Sequence, residues 1–288
     1  MNQPLTNTPQ NWLIFGREHF FSEYPLFFWG YIDPFLENSQ KSAYNLKAVF
    51  TCLFQKKIVT LHLTIANKEM KQTDKNIIMI TSGGVGERFG SNIPKQYVEV
   101  NGRKVIGYVI DACKRSQLAD GILVVAHPKY HDELVGEFGV DVAGSGPTLN
   151  GTKRNGLDYL LAHSACEKLV VVDAVRPAVE TSVIDRFFTL LDDYDAAACA
   201  RKITDSLGRF GQWIVNREEY YTLSTPEAFR FALFEQHFRA ESPLTESIQQ
   251  LPETSKVYLD FDAPYYDKLT YPEDLAKIQH LLGARSEK

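Results

Sequence analysis

Short apolar runs alternate along residues 76–283 with longer stretches in which apolar residues recur at helical spacing. The apolar runs predict strands at residues 77–80, 121–127, 168–173, 195–203 and 256–262. The amphipathic stretches predict helices at residues 105–116, 152–165, 181–194, 226–240 and 271–282. This alternation of strands and helices predicts a three-layer α/β/α fold, in which helices cover both faces of a largely parallel sheet.

The first predicted strand runs directly into a glycine-rich loop. Residues 82–97 contain four glycines together with Arg88 and Lys95. Glycines permit positive φ and carry no Cβ, so successive N–H groups can converge on an anion, and the two cations add positive charge. In parallel sheets ligands bind beyond the carboxyl ends of the strands, and this loop falls there.

The loop admits three interpretations. It can be a glycine turn with two solvated cations, a dinucleotide-binding fingerprint, or a loop that wraps a nucleoside triphosphate. The fingerprint needs a helix after its last glycine, and Pro94 interrupts the segment within two turns. A P-loop is excluded, because no Gly-Lys-Ser/Thr sequence closes the loop.

Composition narrows the class of protein. The chain has 288 residues and a formal charge of −5, which argues against a general nucleic-acid binder and leaves phosphate recognition to local cations. The four cysteines show neither a CxxC pair nor metal-ligand spacing, so we expect reduced thiols and a cytoplasmic protein. No apolar run is long enough to predict a membrane span.

Residues 1–75 differ in character from the rest of the chain. Aromatic residues crowd positions 12–35 without a strand or helix period. We therefore predict an aromatic-rich N-terminal extension at 1–75 and a single domain at 76–288. Met70 lies shortly before the first predicted strand, which gives the alternative that translation begins there and that the upstream residues are leader sequence.

The glycine-rich loop reads Gly-Gly-x-Gly-x-Arg-x-Gly and continues to Pro-Lys-Gln-Tyr. It resembles the signature of the cytidylyltransferases that make the CDP-alcohols of 2-C-methyl-D-erythritol and ribitol. Further blocks resemble this family in the same order along the chain, at residues 146–157, 172–177, 205–206, 216–229 and 268–275. The resemblance covers about residues 76–283. It implies a Rossmann-like nucleotidyltransferase fold with a small β-arm at about 204–224.

The resemblance also implies a reaction. The protein would transfer CMP from CTP to a polyol phosphate and release pyrophosphate, with Mg²⁺ as the cofactor. The acceptor would be 2-C-methyl-D-erythritol 4-phosphate or ribitol 5-phosphate. The β-arm would pack against a second subunit in a homodimer, and neither nucleic acid nor a membrane would be a partner.

The family pattern, carried over position by position, assigns a role to residues in several blocks. The catalytic residues would be Arg88 and Lys95. The nucleotide-binding residues would be Ser82, Gly83, Gly84, Gly86, Gly146 and Thr152. The substrate-binding residues would be Arg176, Arg217, Thr225 and Lys268. The residue that binds the metal would be Asp173.

Two of these residues also carry a simpler interpretation. Asp173 ends an apolar strand, so its carboxylate needs a cation, and that cation can be Mg²⁺ or the side chain of Arg176. Thr225 is followed by Pro226 in a pattern typical of a helix N-cap with proline at the first helical position.

The chain departs from the family pattern at several positions, among them Leu149, Val172, Glu227, Leu244 and Tyr266. These departures leave the acceptor open between the two polyol phosphates. Two other functions also stay open, namely a homologue that binds nucleotide without turnover and a nicotinamide-dependent oxidoreductase. An increase in melting temperature with CTP or with NAD(P) would separate the oxidoreductase from the other two.

Overall fold

A computed structural model of the protein describes residues 73, 75–84, 89–90 and 93–286. Nearly all of the predicted extension 1–75, with the alternative start at Met70, lies outside the described residues. Gly86 and Arg88 of the glycine-rich loop also lie outside them. The predictions made for these residues therefore stay predictions.

In the described part of the chain, seven strands form the central sheet and two short strands form a separate hairpin. The strands are β1 (Asn76–Ser82), β2 (Glu99–Val100), β3 (Arg103–Lys104), β4 (Gly121–Ala126), β5 (Asp141–Gly144), β6 (Lys168–Asp173), β7 (Ala196–Lys202), β8 (Tyr221–Arg230) and β9 (Val257–Asp260). The helices are α1 (Val105–Lys114), α2 (His131–Phe138), α3 (Leu149–His163), α4 (Thr181–Leu190), α5 (Phe231–His237) and α6 (Asp274–Ser286).

The order of strands across the sheet is β5-β4-β1-β6-β8-β7-β9. Neighbouring strands pair in parallel except at β8, which runs antiparallel to both β6 and β7. Helices α1 and α4 pack on one face, and α3 and α5 pack on the other. The predicted α/β fold with a largely parallel sheet between two helical layers is confirmed.

Strand β1 shows why its sequence is an uninterrupted apolar run. Ile78 and Ile80 are buried in the core on one face of the sheet, and Ile77 and Met79 are buried in the core on the other. A central parallel strand is covered on both faces, so both sets of alternating side chains are apolar. The carboxyl end of this strand carries the glycine turn to the edge of the sheet.

The predicted helix at 226–240 is wrong over its first five and its last three residues. Strand β8 continues to Arg230, and α5 occupies only Phe231–His237. The interpretation of Thr225 as a helix N-cap is also wrong, because Thr225 lies inside β8 and precedes a cis peptide bond to Pro226. Ala228 and Phe229 bury their side chains on opposite faces of the sheet, which a helix at this position could not achieve.

The remaining predicted boundaries differ from the structure by a few residues. Helix α3 begins at Leu149 instead of 152, and α6 begins at Asp274 instead of 271. The predicted arm at 204–224 is irregular between β7 and β8, with one isolated bridge between Arg209 and Gln212. Among the described residues, none of the helices has the length and apolar character that crossing a bilayer requires.

Candidate active site

The carboxyl ends of β1 and β6 lie side by side. In their parallel register Thr81 is opposite Asp173, so the glycine turn begins two residues beyond the partner of this aspartate. Strand β4, on the other side of β1, ends at the same edge. Ligands of parallel sheets bind at this edge.

Side chains of the one-turn helix Lys95–Tyr97 hold the start of the glycine-rich loop. Gln96 Nε2 donates to the backbone oxygen of Ser82 at 3.0 Å and to that of Gly84 at 2.8 Å. Tyr97 Oη lies 3.2 Å from the hydroxyl of Ser82. Burial raises the pKa of Tyr97 to about 12, so its phenol stays protonated. The predicted catalytic Lys95 is half-buried and begins this helix. The contacts of Gln96 and Tyr97 therefore fix its backbone next to the glycine turn.

Gly83, Gly146 and Thr152 meet in a close contact. A Cβ on Gly83 would lie 2.5 Å from Thr152 Oγ1, and a Cβ on Gly146 would lie 2.5 Å from the backbone carbon of Gly151. The Thr152 hydroxyl accepts from Gly146 N at 3.2 Å and donates to Gly146 O at 3.3 Å. Thr148 caps the start of α3 by accepting from Gly151 N at 2.9 Å. Three predicted nucleotide-binding residues are thus adjacent, and no side chain fits at two of them.

Asp173 is the centre of a buried ionic cluster. Lys268 Nζ lies 2.9 Å from Asp173 Oδ2, and Arg176 Nε lies 3.4 Å from the same oxygen. Thr81 Oγ1 donates to Asp173 Oδ1 at 3.3 Å. Arg176 also donates through Nη1 to the backbone oxygen of Tyr266. The predicted metal-binding residue and two predicted substrate-binding residues therefore belong to one cluster.

The two cations keep Asp173 ionised. Burial alone would raise the pKa of its carboxyl, but the charges of Lys268 and Arg176 outweigh burial and hold the pKa well below its ordinary value. The side chain of Lys268 is 34% exposed, whereas that of Arg176 is 8% exposed. Lys268 can therefore reach a ligand, while Arg176 holds Asp173 against the backbone of Tyr266.

Thr225 lies close to this cluster in the sheet. The antiparallel register of β8 on β6 places Glu227 opposite Val171, so Thr225 lies two residues further toward Asp173. Its hydroxyl is buried and has no hydrogen-bond partner among the described residues. A buried hydroxyl without a partner is a candidate contact for a ligand.

One described residue among the predicted substrate-binding residues, Arg217, is not brought to the cluster. Arg217 lies on the arm, where it donates to the backbone oxygen of Thr204 and pairs with Glu218 at 3.3 Å. Arg88 and Gly86 are outside the described part of the chain. The sequence therefore remains the basis for the roles of these three residues.

Three buried polar residues next to the site received no role from the sequence. They are Gln96, Lys153 and Glu227. A signal for Lys153 and Glu227 does exist in the sequence, because each is a charged residue at a core position. Lys153 lies on the inner side of a helix, and Glu227 lies within an apolar strand. Charged side chains are seldom fully buried unless they are paired, so such positions indicate a specific partner.

The described part of the chain contains no cluster of three or more His, Cys, Asp or Glu side chains that could hold a metal ion. Asp173 Oδ2 is paired with Lys268 and Arg176, whereas Oδ1 accepts a 3.3 Å hydrogen bond from Thr81 and keeps a lone pair for a metal. One carboxylate oxygen suits Mg²⁺ when phosphates and water supply its other ligands. The donor set therefore fits an ion that arrives with a polyphosphate.

Comparison with known proteins gives a consistent match. A family model described as IspD, 2-C-methyl-D-erythritol 4-phosphate cytidylyltransferase, matches residues 76–284. A relative of that name from Bifidobacterium longum subsp. infantis is 33% identical over 179 residues, which are 56% of this chain and 61% of that protein. Another from Clostridium acetobutylicum is 26% identical over 233 residues, which are 73% of this chain and 99% of that protein. The chain thus spans about three fifths of the Bifidobacterium relatives.

Solved structures agree on the fold. The structure named 4-diphosphocytidyl-2C-methyl-D-erythritol synthase from Anaerococcus prevotii is matched with a TM-score of 0.62 at 22% identity, over 73% of this chain and 96% of that chain. The 2-C-methyl-D-erythritol 4-phosphate cytidylyltransferase of Thermus thermophilus is matched with a TM-score of 0.58 at 22% identity, over 72% and 98% of the two chains. The predicted Rossmann-like nucleotidyltransferase fold is therefore confirmed.

Proposed function

This chain belongs to the 2-C-methyl-D-erythritol 4-phosphate cytidylyltransferase family, and from that membership we propose that it transfers the cytidylyl group of CTP to a polyol phosphate and releases pyrophosphate. The observation that carries the proposal is the position of the ion pair between Asp173 and Lys268. The pair lies at the carboxyl end of β6, next to the strand that leads into the glycine turn. A cation is thereby held beside a turn whose backbone can approach a phosphate closely.

In the proposed reaction, an oxygen of the acceptor phosphate attacks the α-phosphorus of CTP in line. The new P–O bond forms as the bond to the β-phosphate breaks, and pyrophosphate leaves with the electron pair. No covalent intermediate with the protein is needed. The protein has to hold two polyanions in line and to stabilise the charge on the transferring phosphoryl oxygens.

The positions of the cations suggest a separate role for each in this reaction. Lys95 lies on the helix that Gln96 ties to the glycine turn, and with Arg88 of the same loop it is proposed to stabilise charge in the transition state. Lys268, which is partly exposed, is proposed to bind the acceptor phosphate. Arg176 and Thr225 support this acceptor side, Arg176 by holding Asp173 in place.

On the nucleotide side, the backbone of Ser82, Gly83 and Gly84 is proposed to meet the base and ribose of CTP. Gly146 and Thr152 complete a pocket of backbone donors and acceptors. Such a pocket can distinguish cytosine from uracil through the exocyclic amine. Asp173 Oδ1 would hold a Mg²⁺ ion that enters with the triphosphate, and that ion would neutralise phosphate charge.

The acceptor we favour is 2-C-methyl-D-erythritol 4-phosphate, because the matching family model carries that name. Ribitol 5-phosphate is the competing acceptor. Release of pyrophosphate by the full chain, measured with CTP, Mg²⁺ and each acceptor separately, decides between them. We expect turnover with the methylerythritol phosphate and little with the ribitol phosphate. The reverse order would change the acceptor, and no release with either would remove the proposed function.

A pair of lysine variants tests the role of the ion pair. We expect Lys268→Ala to lower kcat/KM for the acceptor by about a hundredfold, because a charge-assisted contact with phosphate is lost. Lys277→Ala is the matched control, since Lys277 pairs with Asp267 at 2.5 Å on the exposed side of α6. Equal activity of the two variants in the pyrophosphate assay would contradict an acceptor-binding role for Lys268.

The protein is proposed to act as a homodimer through the arm between β7 and β8. Phe210 is fully exposed on this arm, and Trp213 and Ile214 are 86% and 77% exposed. Apolar side chains that lie together on a surface favour association with a partner. Arg217 lies on the same arm, so any role it has at an acceptor site is proposed to operate through the dimer.

A further inference from the structure

Lys153 and Glu227 form a fully buried pair of charges beside the proposed active site. Their side chains are 1% and 0% exposed, and Lys153 Nζ lies 3.8 Å from Glu227 Oε2. Lys153 follows Thr152 on α3, and Glu227 lies on β8 two residues after Thr225. Removing two charges from water is costly, and a buried ion pair is weak support for stability by itself. The function of the pair therefore has to be sought in what it holds.

The pair holds segment 242–248, which is irregular as far as Glu246 and enters a one-turn helix at Ser247. Lys153 Nζ donates to the backbone oxygen of Thr245 at 2.9 Å and to Ser247 Oγ at 2.7 Å. Glu227 accepts from Ser247 N at 3.2 Å and from Ile248 N at 3.0 Å. The lysine and the glutamate thus bind neighbouring residues of one segment from two different elements.

Asn150 adds a second attachment from the same helix. Its Nδ2 donates to the backbone oxygen of Ser242 at 2.9 Å and to that of Leu244 at 2.8 Å. Hydrogen bonds therefore attach segment 242–248 to the first turns of α3 at one end and to β8 at the other. These side chains supply backbone partners that a helix or a strand would otherwise provide.

The network connects the two halves of the site. On α3 it is attached one residue after Thr152, which closes the nucleotide pocket against Gly83. On β8 it is attached at Glu227, which lies opposite Val171, two residues before Asp173. Lys153 also lies close enough to the acceptor cluster for its positive charge to help lower the pKa of Asp173.

We propose that Lys153 and Glu227 are positioning residues of cytidylyl transfer, which set the placement of the nucleotide pocket relative to the acceptor cluster through segment 242–248. This inference rests on the proposed function. In-line attack needs the two phosphates aligned, and a misplacement of about 1 Å can cost on the order of a hundredfold in rate. The nucleotide pocket has its own local hydrogen bonds, so CTP binding does not depend on the network.

The test is the double variant Lys153→Met/Glu227→Gln in the full chain. It removes both buried charges and keeps the side-chain volumes. We expect the dissociation constant of CTP and the number of CTP sites, measured by calorimetry, to stay within about threefold of the wild-type values. We expect kcat per CTP site to fall by on the order of tenfold to a hundredfold.

Lys168→Met is the matched control. Lys168 Nζ donates to the backbone oxygen of Phe188 at 2.9 Å and pairs with Asp192 at 2.6 Å, at the opposite end of β6. The control variant also loses a lysine ion pair and a hydrogen bond to a backbone oxygen, but it loses them away from the site. It should therefore retain wild-type kcat. A purely structural role of the Lys153 network would instead lower the melting temperature and the number of CTP sites, without changing kcat per site.

If the double variant does not fold, the variant Asn150→Ser tests the inference instead. It removes only the hydrogen bonds to Ser242 and Leu244 and leaves no buried charge without a partner. We expect at least a threefold fall in kcat per CTP site for this variant. Wild-type kcat in either folded variant would overturn the inference and leave the proposed function intact. An inactive wild-type protein would instead remove the proposed function, and with it this inference.

Discussion

At the level of single residues, the shape of the proposed nucleotide pocket depends on close packing more than on charge. The absent side chain of Gly83 is the space that Thr152 occupies, and Ser145 borders the same space. The hydroxyl of Thr152 in turn forms hydrogen bonds with both the backbone N–H and the backbone oxygen of Gly146. The pocket is therefore sensitive to one added methyl group at position 83, although neither residue carries a charge.

Gly83→Ala is expected to weaken CTP binding by tenfold or more. The new Cβ would lie 2.5 Å from Thr152 Oγ1 and 2.7 Å from Ser145 Cβ, so both residues would have to move, and overpacking of this kind costs about 1–3 kcal/mol. Gly144→Ala is the control, because a Cβ there meets no atom within 4 Å. Calorimetric titration with CTP measures both, and equal affinity of the two variants would contradict the close fit.

In the described part of the chain, the arm between β7 and β8 has little packing of its own, since residues 204–220 are exposed apart from Leu207 and Val215. Its large apolar side chains point into solvent, and its hydrogen bonds are mostly local. Strand β8, which follows directly, is paired on both sides within the sheet. The arm is thus a surface extension fixed to a rigid strand, which suits it to contact another molecule.

The double variant Phe210→Ser/Trp213→Ser is expected to convert a dimer to a monomer. Two large aromatic side chains that would be buried between subunits are lost, and each buries on the order of 150–250 Å² when covered. Light scattering after gel filtration measures the molar mass. Leu161→Ser, at a half-exposed position on α3, should leave the mass unchanged. A wild-type protein that is already monomeric would refute assembly through the arm.

Across the molecule as a whole, charges from several elements converge on one interior region. Glu246 belongs to the segment held by Lys153 and Glu227, and the charges of this region change the pKa of its carboxyl. Burial, and after it the negative charge of Glu227, raises the pKa of Glu246 to about 7. This carboxyl therefore gains a proton in the folded state at pH values where it is ionised in the unfolded chain.

Replacing this carboxyl should change stability in a pH-dependent way. Because the folded pKa is above the unfolded one, the contribution of Glu246 to stability is present below about pH 4.5 and is lost as pH rises through about 7. Glu246→Gln should therefore raise the melting temperature at pH 8, by roughly 2–4 °C for each kcal/mol of penalty removed, and change it little at pH 5.

Thermal unfolding of the wild type and the variant at both pH values measures this difference. Glu253→Gln, at an exposed position nearby, is the control and should show no such dependence. An equal effect of Glu246→Gln at pH 5 and pH 8 would show that the carboxyl is not perturbed by burial.

Local patterns in the chain were sufficient to predict much of the fold and part of the site. The apolar runs specified most strands of the sheet, because a strand covered on both faces needs apolar side chains at every position. The glycines before Lys95 indicated a turn that approaches a ligand, and the ordered blocks indicated the family. Asp173 was placed at the edge of the sheet because it ends such a run.

Features that depend on remote partners became visible only in the folded molecule. Thr225-Pro226 reads locally as a helix start, yet it lies inside β8. The residues on either side of it pair with β7, and the strand from Glu227 onward also pairs with β6. Lys153 and Glu227 lie 74 positions apart in the sequence, so their mutual compensation becomes visible only when α3 and β8 meet at segment 242–248. Local patterns specify which groups can be buried, and long-range packing specifies which partner each buried group receives.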